Sequence, residues 1–243
     1  MTEFGSTRGP HYPSDFALAR GIDRYPLFEF RLLEKHRALV ESHFAETQDA
    51  FAKEFDAAWS QLNGEGSDAD SESEEVVEDE LVERYNLLMD FLPRLQWNAQ
   101  FLVVYAAFER SLNALCELAQ HRSNLSLSYQ DMHGSGIVRA STYLRKVVGV
   151  ESPFTTSAWQ SARLLGQVRN AVAHAGGLVA SEDSDLLRRM AALNGLRAVA
   201  DDHEVKKTSI YLSSAFVKEA IQRLSTVLED VADYELYRPP SLA

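Results

Sequence analysis

Apolar residues return every three or four positions through most of this chain, the spacing of helices with one face turned to a core. The first long run extends from Pro26 to about Leu62. Phe44, Phe51, Phe55, Ala58 and Leu62 recur on it at helical intervals with Trp59 beside the stripe, and Pro26 suits a first-turn position. A second run, Leu81 to Gln120, is interrupted at Pro93, which predicts a kink or two helices. Its later part, Trp97 to Gln120, is the most apolar stretch of the chain and is expected at the centre of the fold. Asn124 to Gly136 reads as a loop. Ser135 is placed to cap a helix from Ile137 to Val148, and Thr155 or Ser157 to cap the next, which runs to about Ala175 and stops at Gly176-Gly177. A short helix is expected near Ser184 to Asn194. Glu204 to Leu212 alternates enough for a short strand or hairpin, and Ser213 or Ser214 caps a last helix to about Tyr234.

Two stretches break the pattern. Residues 1–24 are polar, carry Gly and Pro and show no period, so a flexible arm is expected. Residues 64–80 hold nine acids, no base and no aromatic, which predicts a disordered acidic linker. The alternative reading is a nucleic-acid mimic that occupies a basic site. The predicted organisation is an arm (1–24), a long helix (25–63), the linker (64–80) and a helical domain (81–238).

Composition agrees. Of 243 residues 45% are apolar, enough for a core, and Gly and Pro are few, so an all-α class is expected, with room for a short β-hairpin before the last helix. The single cysteine, Cys116, excludes a disulfide framework or a multi-cysteine zinc site, and its apolar surroundings suggest a buried, inert thiol. No apolar h-region opens the chain and no run of 18 apolar residues occurs, so no signal peptide and no membrane span are expected and a cytoplasmic protein is anticipated. The net charge of −12 argues against a nucleic-acid partner until its distribution is read. Removing the nine acids of 64–80 leaves −3, and local clusters such as Arg163/Arg169 and Arg188/Arg189 can still make positive surface.

The candidate chemistry lies near the end of the helix that stops at Gly176. Arg followed by His after four to six residues occurs four times: Arg31/His36, Arg37/His43, Arg169/His174 and Arg197/His203. With 18 Arg and 7 His, the spacing alone carries little weight. Context separates the third pair. Asn170 follows Arg169 and stands four residues from His174, on one helix face. Ala171, Val172 and Ala173 between them are small enough for another backbone to approach. His174 falls in the last turn, where the helix dipole favours a cation, and histidine is the side chain best suited to exchange a proton near neutral pH.

The stretch RNAVAHAGG resembles the signature of the HEPN superfamily, Arg and His separated by four to six residues with a polar residue after the Arg, and FLVVYAAFERSLNALCELA resembles the hydrophobic helix that packs across from it. The resemblance covers roughly residues 81–236 and leaves the first helix unmatched. It implies a HEPN-like helical bundle, a homodimer through the motif helix, and a composite site that cuts RNA without a metal or other cofactor. Carried onto this chain, His174 would activate the ribose 2′-OH or protonate the leaving oxygen, Arg169 would bind the scissile phosphate, and Asn170 would position RNA or orient His174. The family also implies a defence or toxin–antitoxin role with an antitoxin or defence-system partner protein, although the Tyr that some such toxins carry two residues after the motif His is Gly176 here.

Glu109 is a supporting candidate. An acid in an apolar helix needs a partner, and Arg169 across the bundle would serve, against the alternative of a solvent-facing carboxylate. Tyr105, one turn earlier, reads first as core and second as site. His36 and His43 stand seven apart without the i, i+4 spacing of a metal pair, and His121 and His133 have no visible partners. The reading that competes with a ribonuclease is a non-catalytic HEPN module that binds a protein partner or RNA, for which the acidic run and the unmatched first helix speak. A helical scaffold is left for the case in which Arg169 and His174 prove buried and paired.

Overall fold

The computed structural model describes residues 25–62, 71–200 and 206–237. These are mostly helical, with one small sheet. The arm expected over 1–24 lies outside the described residues, as does the part of the expected linker over 64–70.

Helix α1 (Tyr25–Leu62) matches the first apolar run. Its inner face is set by a seven-residue recurrence: Phe30 and Phe51 are buried, Phe44 packs against Trp97 of the central helix, and Arg37 is the one charged member. Helix α2 (Ser71–Asn86) corrects the linker expectation, because residues 71–80 form its first turns. Composition misled there, because glutamate is a good helix former. Tertiary contacts then hold α2 down. Leu81 is buried, Arg84 donates to Glu54 of α1 at 2.8 Å, and Tyr85 packs on Phe55 at 5.3 Å.

Pro93 resolves the second run into two helices joined without a break. Proline has no N–H for the carbonyl four residues back, and its ring crowds that turn. The ladder widens over a π turn (Leu87–Phe91), where the Leu92 N–H reaches Leu87 O, and α3 (Leu92–Arg122) continues with Pro93 in its first turn. Helix α3 is the centre of the fold, as its composition predicted. Phe101, Val104, Phe108 and Leu112 are fully buried, and Phe101 meets Phe216 of the last helix edge-on at 5.0 Å.

After a loop, α4 (Gly136–Tyr143) begins behind Ser135 and passes into a second π turn (Leu144–Val148) closed by left-handed Gly149. Helix α5 (Ser157–Ala175) carries the motif, and α6 (Ser184–Ala191) ends three residues short of the expected Asn194. The predicted strand or hairpin is part of a three-stranded antiparallel sheet. Its order is β1-β3-β2, from β1 (Leu178–Ala180), β2 (Leu196–Ala200) and β3 (Lys207–Leu212). Leu178 pairs with Ser209 and Leu196 with Leu212. The last helix, α7 (Ser214–Tyr237), lies against α1, α3 and α5. Among the described residues no helix is long and apolar enough to cross a membrane.

The entry of α7 is tied to α1 by a charge. Arg37, 5% exposed, donates to Glu34 and Glu41 at 2.8 and 2.7 Å and to the Ser214 hydroxyl at the start of α7. Hydrogen bonds from Arg37 and then Ser214 hold the Glu41 carboxyl below the ordinary glutamate range. A carboxyl whose folded value is depressed stabilises the fold above its unfolded value and loses that contribution as pH falls through the folded one. We therefore expect the urea midpoint of the wild type to fall as pH drops below about 4, the ordinary glutamate range. Arg37→Met should be less stable at neutral pH and show a flatter acid limb; parallel acid limbs for the two proteins would remove the clamp from the account.

Candidate functional site

The motif helix is fixed at both ends. At its start Thr156, between the two caps the sequence nominated, accepts the Trp159 N–H at 3.2 Å and is the true cap. Thr155 and Ser157 are not, because the chain enters through a 3₁₀ turn (Ser152–Thr155) that leaves Thr156 as the extended residue before the helix. At its end Gly176 takes a left-handed φ of 60°, and the Gly177 N–H closes back onto Ala171 O at 2.9 Å. The Gly177 carbonyl in turn accepts the Ile210 N–H of β3 at 2.8 Å. A Cβ at Gly177, whose φ is +88°, would stand 3.1 Å from Ile210 O, so the strand approaches where only glycine leaves room. The last turn of α5, with His174 on it, is thus held on the sheet.

One flank of α5 forms a cleft of about 750 Å³ with α3, the start of α4 and α6. Two glycines bring its walls together. A Cβ on Gly166 would lie 2.5 Å from the Tyr105 hydroxyl, and one on Gly136 would lie 2.5 Å from a Glu109 carboxylate oxygen. Tyr105 is 3% exposed, with its hydroxyl end at the cleft. Burial, and then the Glu109 charge, push its phenol above the ordinary range, so it stays protonated as a donor at the cleft floor. Glu109 faces Arg169 at 3.6 Å, Arg169 donates to Asn170 Oδ1 at 3.0 Å, and its guanidinium lies 6.0 Å from the centre of the Tyr105 ring. The pairing expected between Glu109 and Arg169 is therefore present.

Four of the five nominated residues meet in this cleft: Arg169, Asn170, Glu109 and Tyr105. His174 is not among its lining residues. Five residues beyond Arg169, it diverges by about 140° around the helix. It is exposed in the last turn and has no hydrogen-bond or ion-pair partner among the described residues. The scaffold reading asked for Arg169 and His174 both buried and paired: Arg169 is half-buried and paired with Glu109, whereas His174 is exposed. The other Arg/His spacings fall away: Arg37 is a structural clamp and His36 bonds to the buried Gln100 at 2.8 Å. His203 lies outside the described residues. Cys116 is buried with its thiol 3.6 Å from Ala140 O. Among the described residues no group of three or more His, Cys, Asp or Glu side chains is placed to hold a metal ion.

The sequence did not nominate the other cations of the cleft. Arg139 of α4, Arg163 of α5 and Arg189 of α6 line it together with Arg169, against the single acid Glu109. Arg163 and Arg189 were visible only as local charge, and Arg139 carried no signal because the fold, not the sequence, brings α4 to the motif. Such a cleft attracts anions and, with amide side chains beside the guanidiniums, can hold phosphodiester oxygens at several points. Comparison of the chain with protein-family models, with curated proteins and with solved structures gives no match.

The close approach at Gly166 is testable. Glycine to alanine inside a helix ordinarily stabilises by up to about 1 kcal/mol. Here the added methyl meets a buried phenol, and Gly166→Ala is expected to destabilise by about 1–3 kcal/mol instead. Combining it with Tyr105→Phe, which removes the clashing oxygen, should recover part of that loss in a double-mutant cycle of denaturant midpoints. A stabilised single variant would mean that α3 and α5 do not meet as described.

Proposed function

We propose that this chain is an endoribonuclease of HEPN type that cleaves RNA by attack of a ribose 2′-OH on the adjacent phosphorus. The observation that carries the reading is Arg169, oriented by Glu109 and Asn170 at the mouth of an arginine-lined cleft, on the same rigid helix as an exposed His174. In the reaction the 2′-oxygen forms a bond to phosphorus as the 5′-oxygen leaves, giving a 2′,3′-cyclic phosphate and a 5′-hydroxyl. Arg169 neutralises charge on the non-bridging oxygens as the transition state forms. A histidine takes the 2′-OH proton and another returns one to the leaving oxygen. Two motif helices from a homodimer would supply both histidines. Such pairing also accounts for a His174 that stands clear of its own cleft, since a second copy can bring its Arg169 to that surface.

The second reading, a non-catalytic HEPN module for RNA or a protein partner, is favoured by that same separation of His174 from Arg169 within one chain. The experiment that decides is cleavage of a labelled RNA by purified protein in the presence of EDTA, with product ends analysed. Wild type should yield cyclic-phosphate ends, His174→Ala should lose at least a hundredfold in rate, and Arg169→Ala a comparable factor, both with unchanged melting. A His174→Ala protein that cleaves like wild type would end the ribonuclease reading; intact RNA under wild-type protein that still binds it would select the module.

A further inference from the structure

Helix α5 holds 19 residues without a single acid, in a chain that has 36. Its exposed side is not random. Gln160, Arg163, Gln167, Asn170 and His174 follow one another at steps of three, four, three and four, which places them in one row along the helix, and all five are exposed. Fourteen rises of 1.5 Å make the row about 21 Å long. Gln160, Arg163, Gln167 and Asn170 all line the cleft, and the row leads from there to His174.

Guanidiniums from two other elements flank this row. The Arg139 Nε is buried and, among the described residues, has no hydrogen-bond partner, while its guanidinium lies 5.8 Å from the centre of the Tyr129 ring. Arg163 and Arg189 make no hydrogen bond or ion pair among the described residues, unlike Arg188 next door, which bonds Asp185 at 2.5 Å. Three cations around one cleft repel one another, and a ligand with several anionic groups in sequence relieves that repulsion.

We propose that the Gln160–His174 row, with Arg139 and Arg189, is a track for one strand of RNA. It grips the phosphates on one side of the scissile position, and amide side chains beside them meet base or ribose edges. The inference rests on the ribonuclease reading for its choice of polyanion, and it adds which side chains carry the strand and that the footprint extends from His174 toward Gln160. A cleft of this volume with interleaved arginines and amides suits a splayed strand, whose bases are free to be contacted, better than a duplex with its edges paired. Arg163, Arg139 and Arg189 are then binding residues that touch flanking phosphates and take no part in bond making.

The test uses the full-length His174→Ala protein, which removes turnover, and a fluorescein-labelled 12-nucleotide oligouridylate followed by anisotropy over a range of salt. Arg163→Ala, Arg139→Ala and Arg189→Ala in that background should each weaken binding about three- to tenfold. Each should also reduce the slope of log affinity against log salt by about 0.7, the value of one single-strand phosphate contact. Arg188→Ala, one residue from Arg189 but ion-paired outside the row, should change neither. Equal affinity and slope in the Arg163 and Arg189 variants would overturn the track, as would equal binding of a duplex of the same length or of oligoglutamate. Wild-type cleavage measured in parallel separates the two ideas. Cleavage with track variants that bind normally sinks the track alone, whereas weakened binding in those variants with no wild-type cleavage sinks the nuclease alone.

Discussion

The cleft depends on how closely α3 and α5 approach, and that distance is set where the Tyr105 hydroxyl lies over Gly166. A side chain at 166 would hold the helices apart. One turn further along each helix, Glu109 and Arg169 would then lose the 3.6 Å separation at which they pair. The same carboxylate rests against Gly136, so the start of α4 is drawn in by a second missing Cβ. Two glycines and one glutamate thus locate three walls, and the arginine that would meet a phosphate is positioned by packing before any ligand arrives.

Charge is arranged on the same plan. A net charge of −12 would repel a polyanion at long range, but screening in salt reduces distant charges to little effect beyond about 10 Å. What the cleft itself presents is Arg139, Arg163, Arg169 and Arg189 around a single acid that is already engaged with Arg169. Some acids elsewhere are used structurally. Glu34 and Glu41 hold Arg37, and Glu54 holds Arg84, so the sum over the chain says little about the field at the site.

Much of this was legible in the sequence, for reasons that differ by element. The long periodic helices were, because period and length are strong signals, and so was the motif helix with its glycine stop. Glu109 could be paired with Arg169 in advance because an acid in an apolar helix has few ways to be satisfied. The strands β1 and β2 were not legible: three and five residues long, they exist because β3 pairs with both, and pairing across sequence leaves no local trace. The first turns of α2 are not legible in composition, because what holds the helix is tertiary: Leu81, Arg84 and Tyr85 anchor it to α1 and the core. The row from Gln160 to His174 was there to be read by spacing. Arg169, on a neighbouring face, carries the stronger local signal and masks it.

That angular offset is the constraint any account of the chemistry must satisfy. Arg169 turns inward to Glu109 and Tyr105, whereas His174 ends an exposed row and has its backbone fixed by the hydrogen bond between Gly177 and Ile210. Both side chains stand on one continuous helix, so their offset is fixed by helix geometry and no rotation of α5 changes it. Under the proposed ribonuclease reading, a single chain therefore carries its phosphate-binding arginine and its histidine at separate places on one helix. Joining them at one phosphorus requires a strand laid along the row, a second copy that supplies the missing half, or both. Each is a demand on the partner of α5, not on its own flexibility.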